Sequence, residues 1–109
     1  MEFRMNTVIK NWQIVAIIGH EGELGRVLYG SVVDDSSCRF QVGDYVTTSS
    51  IEKFNSDGTL LQTKSGSTYQ LVGGGCMSEI KFEDFEMLRA GLSPQQINFV
   101  REYHNSYFH

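Results

Sequence analysis

The apolar pattern of this chain changes period once, at Gly73-Gly74-Gly75, and that break constrains the fold more than any other feature. Before it, β-branched and aromatic residues come in short runs closed by turn-forming residues, as strands do. After it, apolar residues recur every three to four positions, as on one face of a helix. A chain patterned in this order is α+β, with a sheet first and helices last.

Five strands are expected. Trp12 to Ile18 is apolar on both faces, like a covered central strand, and ends at Gly19. The loop GHEGELG, residues 19 to 25, leads into Arg26 to Val33, where Gly30 marks a bend or bulge. DDSS turns the chain, and the Gly43-Asp44 pair opens a third strand from Tyr45 to about Phe54. After the turn Asn55-Ser56-Asp57-Gly58 come Thr59 to Lys64 and Ser67 to Val72, joined by Ser65-Gly66. Short turns between five strands predict an antiparallel bent sheet or a small barrel of SH3-like or OB-like kind. Phe40, Val42, Val46 and Ile51 are candidate core residues.

Residues 73–77 read as a glycine linker and residues 78–108 as a helical hairpin, all within one domain, 1–109. Ile80, Phe82, Phe85 and Leu88 or Met87 can share a helical face, and Gly91 suits the end of that helix. Ser93-Pro94-Gln95-Gln96 signals the next start: Ser93 as N-cap, Pro94 at N1 and Gln96 closing a capping box.

Composition limits the function classes. The 109 residues are 40% hydrophobic and 20% charged, a globular balance, and no stretch reaches the length of a bilayer span. Without a secretory leader pattern, and with Cys38 and Cys76 far apart, the expectation is a cytoplasmic protein with free thiols. The net charge of −4 offers no basic footprint for a phosphate backbone. His20, His104, His109 and the cysteines lack metal-ligand spacing, so neither a metal nor a cofactor is expected.

Two surfaces invite a ligand. In RFQVGDYVTTSSI, residues 39–51, Asp44, Thr48 and Ser49 are the candidate ligand-binding residues. A hydroxyl nucleophile there could be imagined with His20 as base, but no hydrolase signature supports it, and no enzyme is expected. At the C-terminus Phe99, Tyr103, Tyr107 and Phe108 lie near one i, i+4, i+8 line. Part of that stripe covers the sheet, and the surplus suits a protein partner or a homodimer.

The segment from Glu86 to Arg101 has a second reading as a helix-turn-helix, with Gly91 in the turn. Gln95, Gln96, Asn98 and Arg101 would then face a major groove. The net charge of −2 on residues 76–92 argues against DNA, and a plain helical hairpin uses the same residues.

Arg39, Phe40, Gly43, Asp44, Val46, Thr48, Ser49 and Ile51, followed by Thr63, Ser67, Tyr69 and Leu71, form an RFxxGDxVxTSxI pattern with a later T-x-x-x-S-x-Y-x-L segment. Over residues 26–73 this resembles small uncharacterised proteins of bacteria and phages. The resemblance implies a fold unit and a bacterial setting but no activity. The expected function is non-enzymatic protein binding, of an inhibitor, immunity or antitoxin-like kind, with a DNA-binding regulator as the alternative.

Overall fold

The computed structural model describes residues 7–36 and 39–107, with side chains to residue 103. Six strands come first: β1 (Thr7–Gly19), β2 (Gly22–Asp35), β3 (Tyr45–Phe54), β4 (Leu60–Thr63), β5 (Thr68–Leu71) and β6 (Cys76–Lys81). A 3-10 turn, Phe82–Asp84, leads into the short helix α1 (Phe85–Arg89), and α2 (Pro94–Tyr107) follows. The α+β order, with two helices last, is the one the period change predicts.

The sheet departs from expectation in strand count and direction. β1 to β5 pair antiparallel in sequence order, and β5 then pairs with Thr7–Ile9 of β1. Five strands of alternating direction leave β5 running the same way as β1, so this pairing is parallel. The sixth strand replaces the expected glycine linker and the start of the hairpin. It pairs parallel with Gln13–Ile18 of β1, making the sheet mixed. Ile80 is therefore buried from a strand, between exposed Glu79 and Lys81, and no helix begins at residue 78. The glycine loop is also shorter than expected, since only His20 and Glu21 separate β1 from β2.

β1 changes its parallel neighbour between Ile9 and Gln13, and a bulge lies at the change. Lys10 pairs with Ser31 and Gln13 with Tyr29, so Asn11 and Trp12 together oppose Gly30. Asn11 adopts φ 51°, the only non-glycine residue among those described with a positive φ. The extra residue shifts the side-chain alternation by one. Ile9 and Ile14 consequently both enter one core, with Leu28, Val32, Leu61 and Tyr69. Val15 and Ile17 enter a second core on the opposite face, with Val27, Ile80, Leu88 and Ile97.

Gly30 makes the bulge possible. A Cβ there would run into Ile9 Cγ2 and stand 3.1 Å from Lys10 O and 3.2 Å from Trp12 Cα. The triple glycine has a related purpose: Trp12 Nε1 donates to Gly73 O at 3.1 Å, and its indole lies where a Cβ on Gly75 would be. Residues 73–75 thus seat a tryptophan and feed β6.

The helices cover the second core. Leu88 of α1 and Ile97 of α2 are fully buried, worth about 1.5–3 kcal/mol each. Gly91 ends α1 at φ 111°, as its position predicts. The capping box also forms: Gln96 N donates to Ser93 Oγ at 3.1 Å, and Ser93 N donates to Gln96 Oε1 at 2.8 Å. One turn after Ile97, at the middle of α2, Arg101 donates to both carboxylate oxygens of Asp84, at 2.7 and 3.0 Å, and to Glu83 at 2.7 Å. Those hydrogen bonds, to Asp84 first and then Glu83, hold the guanidinium pKa above its usual value. Asp84 is only 7% exposed, so Arg101 keeps a carboxylate charge compensated beneath the helix.

Two expectations follow for stability. Gly30→Ala should lose about 1–3 kcal/mol in urea unfolding, because the added carbon meets backbone as well as a buried isoleucine. Gly25→Ala in the same strand, whose Cβ would meet only Ser50 Oγ at 3.5 Å, should change stability by less than about 0.5 kcal/mol. Equal effects would refute the bulge account. Arg101→Ala should cost about 2 kcal/mol, between the values for an exposed and a fully buried pair. A double-mutant cycle with Asp84→Asn should show that the two residues couple rather than add.

Candidate functional site

The inner side of α2 is fully occupied by the fold. Pro94 and Ile97 are buried, Asn98 Nδ2 donates to Glu79 O of β6 at 3.0 Å, and Arg101 clamps Asp84. Helical geometry then sends Phe99, Tyr103 and their neighbour Val100 outward. Phe99 is 68% exposed and Tyr103 61%, and their rings stack on each other with centroids 6.4 Å apart. Leu92, Gln95 and Gln96 continue this surface as a shallow apolar groove with Phe99 and Val100. Of the four aromatic residues expected here, Tyr107 belongs to α2 but its side chain lies outside the described residues, as does Phe108 altogether.

The residues expected to read DNA bases are engaged within the chain. Gln95 and Gln13 exchange carboxamide hydrogen bonds at 2.9 Å, and Ser78 Oγ donates to the same Gln13 Oε1. Gln96 Oε1 closes the capping box, while Asn98 and Arg101 hold β6 and Asp84. Among the described residues the carboxamide nitrogen of Gln96 makes no hydrogen bond.

The hydroxyl run is likewise structural in its geometry. β3 bulges where Thr48 and Ser49 oppose Leu28, so Leu28 N finds no carbonyl and donates instead to Thr48 Oγ1 at 3.0 Å. Thr48 Oγ1 donates onward to Ser49 O at 2.7 Å, and Thr47 Oγ1 donates to Leu88 O at 3.2 Å. Ser49 Oγ donates to Ser65 Oγ at 3.2 Å and accepts from Ser65 N, fixing the β4–β5 turn. Asp44 Oδ2 accepts from Gln41 N at 3.0 Å, inside the turn that Gly43 enters with φ 93°. Arg39 lies over the Phe40 ring, 4.9 Å from its centre, and donates to Ser67 Oγ. Val46 is buried and Phe40 and Ile51 pack against the first core, but Val42, expected in the core, is 74% exposed at the turn. His20 sits in the β1–β2 turn and makes no hydrogen bond to any of these groups.

A second concavity has no counterpart in the sequence reading. Between the β1 bulge, the middle of β2, the start of β3 and the entry to α2 lies a recess of about 500 Å³. Tyr29 and Tyr45 stack across it with ring centres 5.5 Å apart, and Tyr29 OH donates to Gly91 O at 3.2 Å. Burial first, and then the neighbouring Tyr45, push the Tyr29 phenol pKa up. Asn11, Gln13, Ser93 and Gln96 complete the lining. The sequence marks an irregularity at Gly30, but no local pattern announces that Asn11 lies opposite it or that Tyr29 and Tyr45 meet.

Among the described residues no three His, Cys, Asp or Glu side chains come together to hold a metal ion, and Cys76 is an exposed free thiol. Cys38 lies outside the described residues. No described helix is long and apolar enough to cross a membrane.

No curated protein and no solved structure matches the chain. A family described as a domain of unknown function, DUF6957, matches residues 1–87, which takes in the whole of the 26–73 pattern and all six strands, and ends within α1. The chain therefore belongs to the DUF6957 family.

Proposed function

We propose that the protein is a non-enzymatic docking module that binds another protein through the outer face of α2. The observation carrying this reading is the stacked Phe99–Tyr103 pair, about two-thirds exposed on a helix whose inner side is fixed by Ile97, Asn98 and Arg101. Exposed aromatics on a rigid element lose little entropy on binding and act as anchors in interface pockets. Gln95, Asn98 and Arg101 hold intramolecular partners, which supports protein docking over base reading by this helix.

Charge narrows the partner. Residues 76–103 carry five carboxylates against three cations, and Arg89 and Arg101 are already paired with Glu86, Glu83 and Asp84. The complementary surface has an apolar cleft for the two rings and a basic rim. An inhibitor, immunity or antitoxin-like role in a bacterium or phage, in the cytoplasm, fits such a partner, and the resemblance over residues 26–73 supports that setting. In the same reading, the pairing of β1 with both β2 and β5 curls the sheet into a small SH3-like or OB-like barrel with Thr7–Ile9 as its seam.

The test uses a photo-crosslinking residue at Glu102, beside the aromatic pair, in cells of the host. The captured protein, once identified and purified, is titrated against the wild type and a Phe99→Ala, Tyr103→Ala double variant. The double variant should bind at least about thirtyfold more weakly, because each ring is an anchor, and should unfold at the same denaturant concentration because both rings are exposed. Unchanged affinity would refute the docking face. A wild-type dimer in sedimentation velocity that the double variant abolishes would overturn the hetero-partner and assign the face to a second copy.

A further inference from the structure

We propose that the recess between the β1 bulge and the start of α2 binds a neutral sugar ring, a pyranose unit, with Tyr45 as its stacking platform and Asn11 and Gln96 as hydrogen-bonding partners. Its volume of about 500 Å³ lies within the range of small-molecule sites. The recess borders the groove on the outer face of α2, with Gln96 at the edge of both, but it does not depend on the docking reading.

The polar groups around the recess are left open by the fold. Among the described residues, the Asn11 carboxamide and the Tyr45 hydroxyl make no hydrogen bond, and Gln96 uses only its carbonyl oxygen, for Ser93 N. Ser93 Oγ accepts from Gln96 N and retains its own proton to donate. Tyr29 donates to Gly91 O and keeps oxygen lone pairs for an incoming hydroxyl. Asn11 holds a left-handed φ of 51° at the lip, a conformation that costs free energy and recurs at ligand sites.

The lining chemistry selects the ligand class. Among the described residues no charged side chain lines the recess, so phosphate, carboxylate and ammonium groups find no counter-ion there. Tyr29 occupies one face of the Tyr45 ring, while Tyr45 itself is 55% exposed, leaving one aromatic surface for one ring. The open donors and acceptors come from β1, β3 and the start of α2, and are thus distributed around the perimeter. A pyranose carries hydroxyls around its perimeter, each both donor and acceptor, which matches a lining that offers carboxamides and hydroxyls on several sides. The C–H face of a sugar can rest on the tyrosine while its hydroxyls reach the carboxamides.

The experiment is an NMR titration of the ¹⁵N-labelled full chain with methyl α-glucopyranoside, methyl β-galactopyranoside, N-acetylglucosamine and mannose, each to about 50 mM, a range that captures weak millimolar sites. At least one should give saturable shifts of the Asn11 and Gln96 side-chain NH₂ signals. Asn11→Gly keeps the backbone conformation and removes the carboxamide, and Tyr45→Ala removes the platform. Each should weaken binding roughly tenfold or more, while Tyr45→Phe, which keeps the ring, should weaken it by less than about threefold. The dispersed spectrum of each variant shows that it is folded. Absence of saturable shifts with all four sugars, shifts that survive both Asn11→Gly and Tyr45→Ala, or saturation by adenosine or uridine in place of the sugars would overturn the proposal.

Discussion

Everything in this fold turns on one extra residue in β1. Asn11 and Trp12 share the space opposite Gly30, and that insertion rotates the rest of the strand to present its alternate side chains to the other face. A single strand can then serve two cores, with Ile9 and Ile14 in one and Val15 and Ile17 in the other. It also lets β1 take β5 as its parallel neighbour before the bulge and β6 after it. Gly30 and the Trp12 seat on residues 73–75 belong to the same device, since each removes a Cβ from where the displaced strand must pass.

The helical end builds on that device. Because β6 covers the far edge of β1, it offers Glu79 O to Asn98 and leads directly into the acidic turn that Arg101 clamps. α2 is held along its inner side by buried Pro94 and Ile97 and by the hydrogen bonds of Gln95, Asn98 and Arg101, so its outer side is presented on a fixed element. The recess beside Tyr45 is also a product of the bulge, which lifts Asn11 toward the start of α2.

Much of this was legible from residues alone. The five meander strands, the irregularity at Gly30, the end of α1 at Gly91 and the capping box at Ser93 each rest on local chemistry and each is present, although β1 begins at Thr7 rather than Trp12, β2 at Gly22 rather than Arg26, and the extra residue of the bulge lies on β1 opposite Gly30. β6 was not legible, because Ile80, Phe82, Phe85 and Leu88 fit a helical face just as well. What makes residues 76–81 a strand is an unfilled edge on β1 more than 60 residues earlier, which no local window contains. The hydroxyl run hid its purpose similarly: Thr48 compensates for a missing backbone acceptor opposite Leu28, a fact of register rather than composition. The Tyr29–Tyr45 stack depends on the same register.

The two parallel pairings of β1 also set an order in time. β1 leaves the ribosome before the other five described strands and cannot be completed until β5 and β6 exist, since its parallel neighbours are residues 69–71 and 76–81. At about 5–20 residues per second, an apolar stretch running from Trp12 to Ile18 waits several seconds for the chain that covers its second edge. The β1–β2 hairpin can form early, but the closure of both cores is a long-range event of the kind that slows folding. During synthesis the nascent chain therefore exposes an open, hydrophobic sheet edge, and the same strand that organises the finished protein is its most aggregation-prone segment while the chain is still being made.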